Sequence, residues 1–159
     1  MPQAQKNTGY LTRFIRTIYL ITVLFLVLTG FGQMPIFKRY YIADIPGLAW
    51  TAKYYVTHYI HYIGAIVLLA LIIYSVVVYV GLMRRSYTLT KAAYVRVLLL
   101  AAIIATGIFR VLKNLPNVVF SPNFTMFIDI SHLTFMMLSM VFGIVFVITG
   151  SRWLTPRTP

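Results

Sequence analysis

From Tyr55 to Met83 the chain reads YVTHYIHYIGAIVLLALIIYSVVVYVGLM, with no Lys, Arg, Asp or Glu. At about 1.5 Å rise per residue, a helix of roughly 20 apolar residues already crosses the hydrocarbon of a bilayer. This run is longer, so it constrains the chain to a membrane. Composition agrees: 60% of residues are hydrophobic and 10% charged, and the mean hydropathy is +0.85, far outside the soluble range. A length of 159 residues leaves no room for a sizeable soluble domain beside a membrane one.

Four stretches qualify as crossings, at about 16–35, 54–83, 92–112 and 127–153. The third is the weakest. Only Val97 to Phe109 is free of charge, and Arg96 and Arg110 must snorkel from its ends. The first has a basic flank like a signal peptide, but its apolar run is longer than a signal core and no small-x-small cleavage site follows. It reads as a retained helix. With no evident internal repeat and no low-complexity linker, the expected fold is all-α. It is an integral membrane four-helix bundle, one domain over 1–159.

The charge balance, 14 Lys+Arg against 2 Asp+Glu, would suggest nucleic acid in a soluble protein. Here the basic residues flank apolar runs and act as topology signals. Lys6, Arg13, Arg16, Arg84, Arg85, Lys91, Arg96, Arg152 and Arg157 fall on one side. Lys38, Arg39, Lys53, Arg110 and Lys113 fall on the other, with Asp44 and Asp129. The richer side predicts that both termini are cytoplasmic. Tyr40, Tyr41, Trp50, Tyr54, Tyr55 and Tyr59 crowd the opposite edge as an aromatic belt would.

The absence of cysteine excludes a thiolate-held iron–sulfur cluster, a covalently attached c-type haem and a thiol nucleophile. The absence of Glu, with two Asp and three His, excludes paired-carboxylate catalysis and HExxH zinc sites.

What remains are the histidines. His58 and His61 lie one to two turns into the second crossing, and His132 at a matching depth in the fourth. Those two crossings run in the same direction, so imidazoles at one depth can face each other across a bundle. Two facing imidazoles with a flat macrocycle between them are the ligands of a six-coordinate haem b, a group suited to electron transfer. Ionisable residues within a span are costly and functional by default. The alternative is that these are structural histidines at headgroup level.

His58 and His61 are three apart and share a face. His61 is deeper, and Gly64 follows it on that face, leaving space for a porphyrin. His61 is therefore the favoured ligand. His58 is left to a haem propionate, a quinone or the interface, and Arg39 and Lys53 are candidate propionate partners. Asp129, three before His132, reads first as an acid favoured by the dipole in a helix's first turn. Its other reading is a proton acceptor for a quinol or a partner for a histidine. Tyr59 and Tyr62 complete the polar groups near a possible quinone.

At this point three stretches resemble a known family. RFIRTIYLITVLFLVLTGF is similar to the first helix of the four-helix cytochrome b subunits of formate dehydrogenase and thiosulfate reductase type. HYIGAIVLLALIIYSVVVYVGL is similar to their second helix, and SHLTFMMLSMVFGIVFVITGSRW to their fourth. The resemblance implies two stacked haems, the outer one held by histidines that His61 and His132 match. The inner pair falls at Tyr19 and near Phe146, and a further histidine of some relatives falls at Ser75. None of these is histidine here. Both inner ligands are missing together, so the resemblance implies a single outer haem, and it leaves the family's quinone site without its neighbouring haem.

The function expected from this reading is a b-type cytochrome subunit of a respiratory complex in a bacterial or archaeal cytoplasmic membrane. It would carry electrons between a peripheral iron–sulfur or multihaem cytochrome subunit on the outer face and the quinone pool, menaquinone or ubiquinone. The alternative is a haem-free anchor for such a complex. A transporter or channel is weaker, because no chain of buried polar residues lines the crossings.

Overall fold

A computed structural model describes residues 2–34 and 36–157, with side chains described from Arg13 onward. Pro35, the expected end of the first crossing, and the side chain of Lys6 lie outside the described residues. The protein is all-α, with four helices long and apolar enough to span a bilayer: 20 residues over Arg13–Gly32, 30 over Tyr54–Met83, 22 over Lys91–Leu112 and 27 over Pro122–Ile148. It is a multi-pass membrane protein.

Contacts gather into two compact units, Met1–Leu82 and Met83–Pro159. In the first, α1 (Pro2–Gly32) is followed by the short α2 (Ile36–Arg39) and two 3-10 turns, Ile42–Asp44 and Ala49–Ala52. Then α3 (Tyr54–Val78) runs on into a π-helical turn, Tyr79–Met83. α1 stops before Pro35, as helices do ahead of a proline.

The pairing of α1 with α3 is antiparallel. Thr57 lies at Gly32, His61 at Gly30 and Gly64 at Leu26. Lipid tails are as apolar as leucine, so close packing and hydrogen bonds must hold such a pair. Small residues do this here. A Cβ on Gly32 would stand 3.1 Å from Thr57 Cγ2 and 3.2 Å from Thr51 O. Both threonines are fully buried, and each turns its hydroxyl back to its own backbone, at Tyr54 O (2.9 Å) and Leu48 O (2.6 Å). That satisfies the polar group without a partner helix.

In the second unit β1 (Tyr87–Leu89) leads into α4 (Lys91–Leu112). α5 (Pro122–Ile148) and β2 (Leu154–Pro156) follow, and β2 pairs antiparallel with β1 in register Thr88 to Thr155. Thr90 caps α4 by accepting from Ala93 N at 3.0 Å, and its hydroxyl donates to Arg152 O at 2.8 Å. α5 starts earlier than the expected 127, because Ser121 caps it through Phe124 N and Pro122 takes the first turn. It also ends earlier than 153. Gly150 at φ 63 closes it, with Gly150 N donating to Val147 O and Ser151 N to Phe146 O. That is a Schellman stop, which needs the left-handed residue glycine supplies.

α4 and α5 are also antiparallel. Lys113 meets Asp129, Thr106 meets His132, and Arg96 meets Phe146. Arg96 does not merely snorkel. Its Nη2 donates to Ser151 O at 3.0 Å, and its guanidinium lies 4.4 Å from the Phe146 ring centre and 4.9 Å from that of Trp153.

Within each unit most large apolar side chains face outward. Leu82, Val147 and Ile148 are each more than three-quarters exposed, and Ile128 is the one fully buried large apolar side chain among the described residues. A protein whose apolar surface faces out this way is solvated by lipid.

Candidate functional site

Each unit holds one of the two histidines predicted as ligands, and each is described within its own hairpin. His61 sits about two turns into α3. Its Nδ1 lies 2.9 Å from Oγ1 of Thr29 on α1, a residue fully buried. His132 sits about three turns into α5. Its Nδ1 lies 3.0 Å from Oγ1 of Thr106 on α4. Both rings are half-buried.

The direction of these bonds follows from a proton count. A threonine hydroxyl has one proton. Thr29 donates it to Phe25 O at 2.7 Å, and Thr106 donates to Ala102 O at 2.8 Å. With that proton on the carbonyl, each oxygen accepts from the imidazole, so each Nδ1 carries a hydrogen; a neutral ring in this arrangement has its lone pair on Nε2. A glycine follows each threonine. A Cβ on Gly30 would stand 3.5 Å from His61 Cε1, and one on Gly107 3.4 Å from His132 Cε1. The ring edges thus lie against bare backbone.

The other residues predicted for the site divide as follows. His58 Nδ1 donates to Gln33 Oε1 at 3.3 Å, and the ring is stacked on Tyr54 (5.3 Å, 19°) and tilted against Tyr62 (4.3 Å, 51°). Tyr59 is exposed at 67%, on a shallow depression shared with Tyr55, His58 and Tyr62. Gly64 packs against Leu26, whose Cδ2 would be 3.1 Å from an added Cβ. Its missing side chain is filled by α1. Arg39 lines a second depression with Gln33 and Lys38, and Lys53 is exposed.

Asp129 is not in the first turn of α5, as the dipole reading has it, but one turn before His132 and past the second turn. Lys113 Nζ donates to both of its oxygens, at 2.7 and 2.6 Å, and Arg110 Nε is 3.4 Å away. Among the described residues no three His or Asp side chains gather as a metal cage would require.

Of the positions where the resembling family carries further histidines, Phe146 lies beneath the Arg96 guanidinium. Ser75 donates to Leu71 O of its own helix at 2.7 Å. Tyr19 is half-buried on α1.

Thr29, Thr106, Gln33 and the two glycines are what the sequence reading missed. Thr-Gly also occurs at 8–9 and 149–150, so the dipeptide alone singles out neither pair. No protein-family model, curated protein or solved structure matches this chain.

Proposed function

We infer that the chain is a b-type cytochrome subunit, holding one haem through His61 and His132 and passing single electrons. The observation that carries this reading is the duplicated Thr–His pair, in which each Nδ1 is engaged by a threonine hydroxyl and a neutral ring has its lone pair on Nε2. Ligating histidines need that state, and their other nitrogen is commonly hydrogen-bonded to fix it. Two such imidazoles are the donor chemistry a bis-histidine haem takes, and His61 and His132 would hold it. When bound, such a group would supply one-electron transfer.

Topology supports the reading. Each histidine lies in the half of its hairpin nearest the connecting loop. In a chain of four crossings both those loops face one side of the membrane. With both termini in the cytoplasm, that side is the outer one. Lys38, Arg39 and Lys53 are exposed there, suited to propionates or to the acidic surface of a peripheral iron–sulfur or multihaem partner. The exposed Tyr40, Tyr41, Tyr54, Tyr55 and Tyr59 fit an aromatic belt at the same edge. A quinone, menaquinone or ubiquinone, is the membrane-soluble partner for such electrons, and the His58–Tyr62 face offers it stacking and a hydrogen bond. The setting is a bacterial or archaeal cytoplasmic membrane.

The experiment is a reduced-minus-oxidised spectrum of the purified full chain in detergent, repeated with a quinol as reductant. The reading expects a Soret band, a sharp reduced α band and reduction by quinol. A chain purified from haem-replete cells without a Soret band overturns it, and a haem-free anchor then takes its place.

A further inference from the structure

The two units share no visible sequence repeat, yet each assembles the same three residues in the same way. A threonine near the loop end of the first long helix accepts from a histidine on the second, and the next residue is a glycine against the ring edge. The Oγ1–Nδ1 distances are 2.9 and 3.0 Å, and the glycine Cβ positions stand 3.5 and 3.4 Å from Cε1. Each threonine also makes a second contact one residue along the same turn, with Leu26 O at 3.3 Å and Ile103 O at 3.1 Å.

The geometry points to Thr29 and Thr106 as positioning residues that fix the tautomer and ring plane of His61 and His132, and so set the donor strength of each Nε2. This rests on the haem reading for its consequence, but the tautomer itself does not.

The chemistry runs through three atoms. The hydroxyl proton sits on a helix carbonyl, and donating there leaves the oxygen a better acceptor, since linked hydrogen bonds strengthen one another. That oxygen takes the Nδ1–H. Drawing the Nδ1 proton toward that oxygen pushes electron density into the ring and makes Nε2 more basic, which would favour ferric over ferrous iron in a bound haem. A threonine does this more weakly than a carboxylate would, and it adds no charge to the span. A buried Asp or Glu in its place would carry the cost of a charge in hydrocarbon. The neutral partner therefore suits a lipid-facing hairpin.

The test compares Thr29→Val, Thr106→Val and the two Thr→Ser variants with the wild-type full chain in lipid nanodiscs. His58→Gln removes the third imidazole signal. Side-chain 15N shifts of haem-free protein read the tautomers. Wild type and the serine variants are expected to hold Nδ1–H at both sites, and each valine variant to show mixed tautomers at its own histidine. In haem-loaded protein, each valine variant is expected to shift to a higher midpoint potential. A tenfold change in the reduction equilibrium corresponds to about 59 mV for one electron. The serine variants are expected to restore the wild-type value.

Nε2–H in wild-type His61 or His132 overturns the inference, even if the valine chains fail to insert. So do valine variants that keep both the wild-type tautomer and the wild-type potential. A wild-type chain that takes up no haem sinks the functional reading instead, while the nitrogen shifts still decide the role of the threonines.

Discussion

Lys113 Nζ donates to both carboxylate oxygens of Asp129, at 2.7 and 2.6 Å, bridging α4 to α5 one turn from His132. Arg110 adds a second cation at 3.4 Å, so a single carboxylate balances two positive charges. The side chains are 20%, 32% and 39% exposed for Lys113, Arg110 and Asp129, and the pairing is only partly screened. Asp129→Asn is expected to destabilise the second unit by about 1–2 kcal/mol, above the usual surface pair because two cations lose their partner. Lys113→Met in the same chain should recover part of the loss, with a coupling of roughly 1 kcal/mol in a double-mutant cycle. The measurement is an SDS titration of the purified protein. If Asp129→Asn leaves stability unchanged but stops quinol-dependent reduction, Asp129 is a proton acceptor and not a tether.

Gly32 and Gly64 both sit in the α1–α3 contact, but against different neighbours. A methyl on Gly32 meets the backbone oxygen of Thr51 at 3.2 Å and the buried Thr57. A methyl on Gly64 meets Leu26 Cδ2 at 3.1 Å and Cγ at 3.2 Å, atoms of a single side chain and none of the backbone, so Leu26 need shift only by a few tenths of an ångström. Gly32→Ala is therefore expected to cost roughly 1–3 kcal/mol, as overpacking does. Gly64→Ala should be near neutral, because a gain of about 0.5–1 kcal/mol in helix propensity offsets the squeeze. The same titration ranks them, and the reverse order would contradict the packing described.

Arg96 ties the start of α4 to the end of α5 through Ser151 O and two aromatic faces. Lysine keeps the charge but not the planar fork that stacks and donates together. Arg96→Lys should lower stability by about 1 kcal/mol, and Phe146→Leu by a similar amount through the lost cation–π contact. Combined, the two should cost less than their sum. Full additivity in the titration would show that the stack contributes nothing.

Both termini are expected on the cytoplasmic side, and the 36–53 and 113–121 segments outside. Single cysteines are informative because the chain has none of its own. Membrane-impermeant labelling of intact cells should modify Asp44→Cys and Asn117→Cys but not Thr155→Cys. Labelling of Thr155→Cys alone would invert the topology and move the histidines to the inner leaflet.

How much of this could be read from the residues differs by element. The four crossings were legible because a bilayer imposes a length that uncharged runs such as 55–83 must meet. The ends of α5 were not, since counting apolar residues passes over Asn123 and Thr125 at its start and runs through Gly150 at its end. The Ser121-Pro122 cap and the left-handed glycine were nonetheless written there. The β1–β2 ribbon is three residues a side, too short for any periodicity. For the candidate site, the rarity of histidine marked His61 and His132. Thr29 and Thr106 could not be found that way, because a threonine in an apolar helix ordinarily bonds its own backbone, as Thr57 and Thr134 do. Only the register between helices tells them apart. Gly64 misled for the same reason: its neighbour is Leu26, a residue far off in sequence.

The central claim is tested most directly by haem content in His61→Ala and His132→Ala, measured as pyridine haemochrome per chain alongside low-temperature EPR. The account predicts about one haem per wild-type chain with the low-spin signal of two imidazole ligands. Each alanine variant should lose it while circular dichroism keeps the helical content. Haem retained at the wild-type level with an unchanged signal in either variant would contradict the assignment.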